Sequence, residues 1–469
     1  MTEIGPRSHM LDRRGFPRFW DEERETRAPK ERDALILTQL QNQLRYVYSE
    51  LPFYRRHYDA HDFRPDEVKT LADFTAKVPV ITKKMLVVDQ AANPVFGTYT
   101  PAAGRQEIAR IHGSSGTSGV PTLYAVSRTD WKRSGEVHAM AQWCAGIRPD
   151  DLMQISFPFG LFFGGWGVIQ GAERIGATVF PIGPIDSEKQ VEFIQRLKPT
   201  VFSATPSYCI HLLSVAARMG VDLRESSVRT LFVGGEPGGS LPGTSKAIAE
   251  GWGTVPRDAG STSEMYPFQT STACEAGMGT HLFTDETFAE IVDKDDSNTP
   301  VPEEERGEIV YTHLWRDSQP MIRFASGDET FLSTDACSCG RTYPRLPHGV
   351  LGRLDDMLVI RGANIFPSAI ETGLRSIGGF GPEFRIVVDK KGALDELLVE
   401  AEMSGESLAA GVGLPEAELR DRRNALAARA EAVLKKLTSI RVPVTVLDPG
   451  VLPPTTFKAK RVLDLRNPH

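Results

Sequence analysis

The sequence predicts an α/β protein, with a large N-terminal domain of parallel-rich sheets and flanking helices and a small α+β C-terminal domain. Three observations predict it. A chain of 469 residues is too long for one ordinary core. The segment 198–236 runs strand, capped helix, strand. The last hundred residues or so then change to a separate pattern of strands around one long amphipathic helix.

The central segment is the clearest. Pro199 to Ala204 is a short apolar strand, Thr205 suits an N-cap, Pro206 the first helical turn and Gly220 the C-terminal cap. Arg229 to Val233 is the next strand, and it ends in Gly234, Gly235, Glu236 and Pro237. Two strands joined through a helix run parallel. Ligands of such sheets sit in loops beyond the carboxyl ends of the strands, where Gly234 and Gly235 fall. In the C-terminal part, Phe384 to Asp389, Leu398 to Met403 and Arg441 to Leu447 read as strands. Residues 415–437 read as a helix with Leu419, Leu426, Ala430, Val433, Leu434 and Leu437 on one stripe. The boundary is expected near Arg353 to Asp355, giving domains 11–354 and 355–469. Residues 11–100 read as a helical approach with charged faces. Residues 5–10, Gly-Pro-Arg-Ser-His-Met, read as a vector remnant, so 1–10 are set aside.

Charge excludes some functions. Lys and Arg number 54 against 61 Asp and Glu, a net −7, with no basic run, so no nucleic-acid partner is expected. The longest apolar stretch, near Phe157 to Ile169, is interrupted by glycine and too short to span a bilayer. The charged first 30 residues lack a signal-peptide core. A cytoplasmic protein with no membrane partner is the expectation. The five cysteines, an odd number in such a chain, argue against a disulfide framework.

The sharpest motif is Ile111-His-Gly-Ser-Ser-Gly-Thr-Ser-Gly-Val-Pro-Thr122, in which six of the seven residues 113–119 are Gly or Ser. Glycine lets backbone N–H groups turn inward, and hydroxyls add donors, so the segment can form a nest for phosphate oxygens. It has no lysine and is not a Walker loop. A flexible linker is the alternative, but the place between strand-like Ile108 to Ile111 and Pro121-Thr-Leu-Tyr124 disfavours it.

Further motifs follow in order: Gly234-Gly-Glu-Pro237, Gly260-Ser-Thr-Ser-Glu264, Ser326-Gly-Asp328, Gly352 to Leu358, Arg361 to Pro367, and Lys458-Ala-Lys-Arg-Val462. With residues 114–122, this ordered set resembles the adenylate-forming superfamily of acyl-CoA synthetases, peptide-synthetase adenylation domains and luciferases. The wording at 160–167, 337–342 and 364–367 is similar to phenylacetate-CoA ligases and their aryl-acid relatives.

The resemblance implies a large adenylation domain with a mobile C-terminal lid, and a role for each matching residue. Ser114, Ser115, Gly116, Thr117 and Gly119 would wrap the ATP phosphates. Gly235, Glu236, Pro237, Asp258, Ser261 and Thr262 would line the nucleotide site. Glu264 would bind Mg2+, a hard cation shared with phosphate oxygens. Asp328 would accept both ribose hydroxyls, Arg353 would orient the ribose or hinge, and Asp355 would be the hinge. Lys458 would neutralise charge at the reacting phosphorus, with Lys460 the competing choice. Phe157, Phe162, Gly164 and Val168 would line a flat acyl pocket, although core packing explains Phe157 and Val168 equally well. Three departures stand out: Ala325 replaces an arginine, Gly260-Ser261 replaces a Tyr-Gly pair, and Phe457 replaces the glycine before Lys458.

Cys274, His281, Cys337 and Cys339 are the right number and type of ligands for a closed tetrahedral zinc site. The Cys-x-Cys spacing is tighter than usual, so spacing alone leaves a set of reduced thiols open. A structural Zn2+ in some members of the resembled branch favours the metal. Cys144 and Cys209 read as core or helix cysteines.

The function implied is ATP-dependent activation of an aryl carboxylic acid as acyl-AMP, then transfer to the CoA thiol. The alternatives are delivery to a carrier-protein thiol or an amine, and a non-catalytic nucleotide sensor. The partners expected are the acid, ATP and CoA or a carrier protein, with a homodimer also compatible.

Overall fold

The computed structural model describes residues 5, 6, 8, 10–101, 107–114, 121–360, 363–391, 394–455 and 461–466. The chain divides into two units, Met1–Gly183 with Arg257–Gly349, and Pro184–Pro256 with Val350–His469. Among the described residues no helix is long and apolar enough to cross a membrane.

In the first unit, helix Pro29–Glu50 opens on proline at its first turn and buries Ile36, Leu40, Leu44 and Val47, a helical stripe. With Phe53, Tyr54 and Tyr58 of helix Pro52–Ala60 it packs against Ile309, Met321, Ile322 and Phe324. The residues expected to form a charged helical approach therefore also build core. That core sits on a sheet in which Thr287–Val292, Gly307–His313 and Phe324–Thr330 are antiparallel neighbours. Ile81–Thr82 joins its edge parallel, with Thr82 opposite Ala325. Leu152–Ile155 and Thr178–Phe180 pair parallel, with helix Gly164–Ile175 between them. Beyond Pro256–Gly260, strands Ser271–Ala273, Thr280–Leu282 and Arg345–Leu346 are antiparallel.

In the second unit Val201–Ala204 and Thr230–Gly234 pair parallel, as expected, around helix Pro206–Arg218. Thr205 Oγ1 accepts from Tyr208 N over 3.3 Å, and Gly220 has the left-handed φ of +72° that a helix end requires. The C-terminal part is a four-stranded sheet in the order Val444–Leu447, Leu394–Met403, Phe380–Lys391, Val462–Asp464. Helix Glu416–Thr438 covers it, burying Leu426, Ala430 and Leu434 of the expected stripe.

Candidate active site and metal cluster

The strands on either side of the Gly/Ser segment pair with each other. Ile108–Gly113 pairs antiparallel with Leu123–Ser127, with Gly113 opposite Leu123. Ser114 N donates to Thr122 O over 3.0 Å, and Thr122 N donates to Ser114 Oγ over 3.3 Å. These bonds pinch the mouth of the loop. A Cβ on Gly113 would meet Thr122 O at 2.9 Å, so this approach requires glycine. Ser115, Gly116, Thr117 and Gly119 lie outside the described residues, as do Lys458 and Lys460.

The second strand of the hairpin reaches Glu264. Tyr124 donates its hydroxyl to Glu264 Oε1 over 3.0 Å, and Lys83 Nζ stands 3.3 Å from the same oxygen. Glu264 is buried. Burial first, and then the Glu264 charge, push the Tyr124 phenol far above its ordinary range, so it remains a donor. The backbone here is held firmly. Glu264 O accepts from Arg316 Nη1 over 3.1 Å, and Met265 O accepts from His313 Nε2 over 2.9 Å. Met321 N donates to His313 Nδ1, which fixes the neutral tautomer. Burial lowers Arg316 to about 10, still a cation at neutral pH.

Asp328, buried in strand Phe324–Thr330, lies at a local kink. Gly327, at φ +74°, donates to Glu308 Oε1 over 2.7 Å, while Ser326 Oγ accepts from Asp328 N and donates to Ile309 O. On the neighbouring strand, burial and then the Asp328 charge raise the pKa of Tyr311, which hydrogen-bonds to Thr270. Thr270 Oγ1 in turn donates to Gly260 O over 2.7 Å. The Asp328 charge thus reaches Tyr311, and Thr270 is tied to Gly260. Ser261 Oγ donates to Phe268 O over 2.9 Å, and Asp258 is buried in its strand. Thr262 Oγ1 is a buried hydroxyl with no partner among the described residues, as a group awaiting a ligand would be.

The aromatic–glycine segment divides its roles. Phe163, fully buried, is the core residue, ringed by His112, Trp131, His138 and Tyr266 at 5.0–5.8 Å. Phe162 and Gly164 are half-buried. A Cβ at Gly164 would meet only Tyr266 Oη, at 3.9 Å, whereas one at Gly167 would strike His138 and Phe163 at 2.5 Å. Val168 and Phe157 are buried, and Val168 O accepts from Gln142 Nε2 over 2.8 Å.

In the second unit, Gly235 takes a φ of +90° directly after its strand. Glu236 Oε1 accepts from Ser207 N over 2.8 Å, at the first turn of helix Pro206–Arg218, and Pro237 follows it in the loop. Arg353 and Asp355 form a two-bond ion pair at 2.8 and 3.1 Å.

The cysteine set converges from three segments of the first unit. The ligand atoms of Cys274, His281, Cys337 and Cys339 all lie within 4.8 Å of one another. Cys274 Sγ and Cys337 Sγ are 3.6 Å apart, and Cys339 Sγ is 3.3 Å from His281 Nε2. A tetrahedral zinc bound at its usual bond lengths needs ligand separations of about 3.5–3.8 Å, close to both. His281 Nδ1 faces Tyr343 O at 3.4 Å, the backing contact a ligating imidazole requires. Hydrogen bonds from Cys274 and Cys337, and then from His281, hold the Cys339 thiol well below its ordinary range. Burial pushes neighbouring Cys144 up to about 12, which keeps it a thiol outside the ligand set. Next to the cluster, Arg341 Nε donates to Glu25 Oε2 over 2.6 Å in a buried ion pair, and Thr342 N donates to Glu25 O over 3.1 Å.

Sequence reasoning missed Lys83 and Tyr124. Tyr124 carried one faint signal, its place in the strand that leaves the Gly/Ser segment. Lys83 carried none, since strand pairing across more than 200 residues brings it near Ala325.

Comparison with known proteins places these features. The sequence model described as AMP-binding enzyme matches residues 39–313, and that of the AMP-binding enzyme C-terminal domain matches residues 362–466. The chain is 36% identical over 455 residues to the phenylacetate-coenzyme A ligase of Thermus thermophilus, covering 96% of this chain and 100% of that protein. It is 33% identical to the phenylacetate-coenzyme A ligase of Escherichia coli, covering 94% and 97%. A solved 2-hydroxyisobutyryl-CoA ligase, in the postadenylation state with R3-HIB-AMP, is 40% identical and superposes with a TM-score of 0.90 over 98% of this chain and 94% of that one. The chain thus belongs to the AMP-binding enzyme family and also carries that family's C-terminal domain.

Proposed function

We propose that the protein is an AMP-forming acid–thiol ligase that activates a carboxylic acid with ATP and passes the acyl group to CoA. The observation that carries this reading is the junction of three motifs in one unit. The hairpin of the Gly/Ser loop meets Glu264 through Tyr124, Asp328 is near enough to Tyr311 for its charge to raise that phenol, and Thr270 donates to Gly260 O. A phosphate loop, a metal-binding carboxylate and a ribose-binding carboxylate need this proximity to hold one nucleotide.

In the first half-reaction the acid carboxylate attacks the α-phosphorus of ATP and pyrophosphate leaves. We assign Ser114, Ser115, Gly116, Thr117 and Gly119 to binding the phosphates. Asp328 accepts the ribose hydroxyls. We assign Asp258, Ser261 and Thr262, and separately Gly235, Glu236, Pro237 and Arg353, to nucleotide binding. Glu264 would hold Mg2+, which supplies charge neutralisation to the phosphates when bound. Tyr124 keeps the Glu264 carboxylate oriented. Lys458 offsets charge on the reacting phosphorus. In the second half-reaction the CoA thiolate attacks the acyl-AMP carbonyl and AMP leaves. We assign the hinge to Asp355, the acyl pocket to Phe157, Phe162, Gly164 and Val168, and a structural Zn2+ to Cys274, His281, Cys337 and Cys339.

Relatives of this degree of identity are named for an aryl acid and for a small hydroxy acid. The deciding experiment is therefore acid-dependent ATP–pyrophosphate exchange across benzoates, phenylacetates, heteroaryl acids and short hydroxy acids, followed by product analysis with CoA against a pantetheinylated carrier protein. Exchange with at least one acid, about 100-fold lower in Lys458→Ala, and a CoA thioester product are expected. Absence of exchange with every acid would defeat the reading.

A further inference from the structure

Glu383, in strand Phe380–Lys391, is an acidic residue buried inside the C-terminal sheet. Its carboxylate does unusual work for a structural residue. Oε1 accepts from Thr455 N over 2.9 Å, and Oε2 accepts from Thr455 Oγ1 over 2.8 Å and from Arg461 Nη1 over 2.8 Å. Thr455 and Arg461 are the two residues that bound the stretch 456–460, which contains Lys458.

Each anchor is itself secured. Thr455 is buried. The Arg461 guanidinium lies 4.3 Å from the Phe384 ring centre, donates to Phe384 O over 3.3 Å and to Pro382 O over 3.2 Å, and stands 3.9 Å from Glu371. Arg375 holds the preceding backbone by donating to Gly381 O over 2.6 Å and to Pro382 O over 2.5 Å. On the far side, His211 Nδ1 of helix Pro206–Arg218 is 3.5 Å from Glu383 Oε1. Burial alone would raise the Glu383 pKa. The His211 contact, the Arg461 charge and the Thr455 donors outweigh it and hold the carboxyl at about 2, so the clamp is ionised at any working pH.

We infer that Glu383 is a positioning residue for the adenylation half-reaction, because one carboxylate binds both Thr455 and Arg461, the residues that flank the reactive lysine in the chain. The inference rests on the role proposed for Lys458. A lysine that must meet a pentacoordinate phosphorus gains rate from a fixed base, and misplacement of about 1 Å costs up to about 100-fold. In the proposed transfer to CoA the thiolate attacks a carbonyl carbon, so no charge builds on a pentacoordinate phosphorus for Lys458 to offset.

The test compares Glu383→Gln, Glu383→Asp and Lys458→Ala in the full-length protein, with the acid that gives the fastest exchange and with its synthetic adenylate. Glu383→Gln should lower kcat of pyrophosphate exchange by about ten-fold or more, with KM for ATP and acid within about two-fold. Thioester formation from adenylate and CoA should stay within about two-fold, and Glu383→Asp should recover most of the exchange. Three results overturn the inference: exchange in Glu383→Gln within two-fold of the unmodified enzyme, equal loss of both half-reactions in both Glu383 variants, or loss of exchange in Glu383→Gln alongside an active Lys458→Ala. That last result also removes Lys458 from its role. Loss in Lys458→Ala with full exchange in Glu383→Gln leaves the lysine in place and refutes only the clamp.

Discussion

The Tyr124 hydroxyl reaches Glu264 Oε1 across 3.0 Å and so joins the strand leaving the Gly/Ser loop to a carboxylate 140 residues further on. Charge-assisted bonds of this kind both orient an anionic ligand and lower the cost of burying it. Tyr124→Phe should leave the fold intact and raise the Mg2+ concentration for half-maximal exchange by about ten-fold. Glu264→Gln should lower exchange by about 100-fold at any Mg2+ concentration. Titration of exchange activity with magnesium chloride checks both, and an unaltered midpoint in Tyr124→Phe would contradict the role of the bond.

The cysteine cluster predicts one zinc ion per chain in protein purified without chelator, measured by mass spectrometry of the metal. Cys339→Ser should lose that ion and lower Tm by about 5 °C or more. Cys144→Ser, at a thiol outside the ligand set, should retain it. Metal-free protein of undiminished Tm would sink the assignment.

Two glycines three residues apart should respond differently to the same methyl group. Gly167→Ala drives a Cβ to 2.5 Å from His138 and Phe163, and should cost about 1–3 kcal/mol of stability in urea unfolding. Gly164→Ala meets only the Tyr266 hydroxyl and should change stability by less than about 0.5 kcal/mol. If Gly164 borders the acyl pocket, KM for bulky acids should rise more than KM for small ones.

Acid should weaken the same core. Burial lowers His138 to about 4, only partly countered by its bond to Pro267 O. The unfolded chain takes up this proton near pH 6.5 and the folded chain only near 4. Stability is therefore fully present above pH 6.5 and declines as pH falls between the two values, by about 3 kcal/mol in all. His138→Gln should flatten that slope in unfolding experiments between pH 7 and pH 4.5.

Some of this was legible in the sequence because it depends on neighbours along the chain. The Thr205 cap, the Gly220 stop and the stripe from Leu426 to Leu434 are local, and each lies where periodicity and capping put it. The ordered motifs likewise named Glu264 and Asp328. What supports those carboxylates was not legible. Lys83 reaches Glu264 through the parallel pairing of Ile81 with Phe324, and Tyr311 feels the Asp328 charge from the neighbouring antiparallel strand. Pairing register across hundreds of residues leaves no periodic trace in either strand. The adjacent residues Phe162 and Phe163 show the same limit: the sequence offered two identical rings, and packing alone decided that Phe163 fills the core.

The Glu25–Arg341 ion pair fastens the start of the chain to the turn that carries Cys339. Trp20 and Asp21 hang from the same glutamate, each donating its backbone N–H to Glu25 Oε1. If the cluster holds the proposed zinc, its removal should therefore be felt first at a distance, as an amino-terminal fringe that peels away and becomes digestible while ATP–pyrophosphate exchange persists. A protease nick near residue 20 would then be a sensitive gauge of metal occupancy.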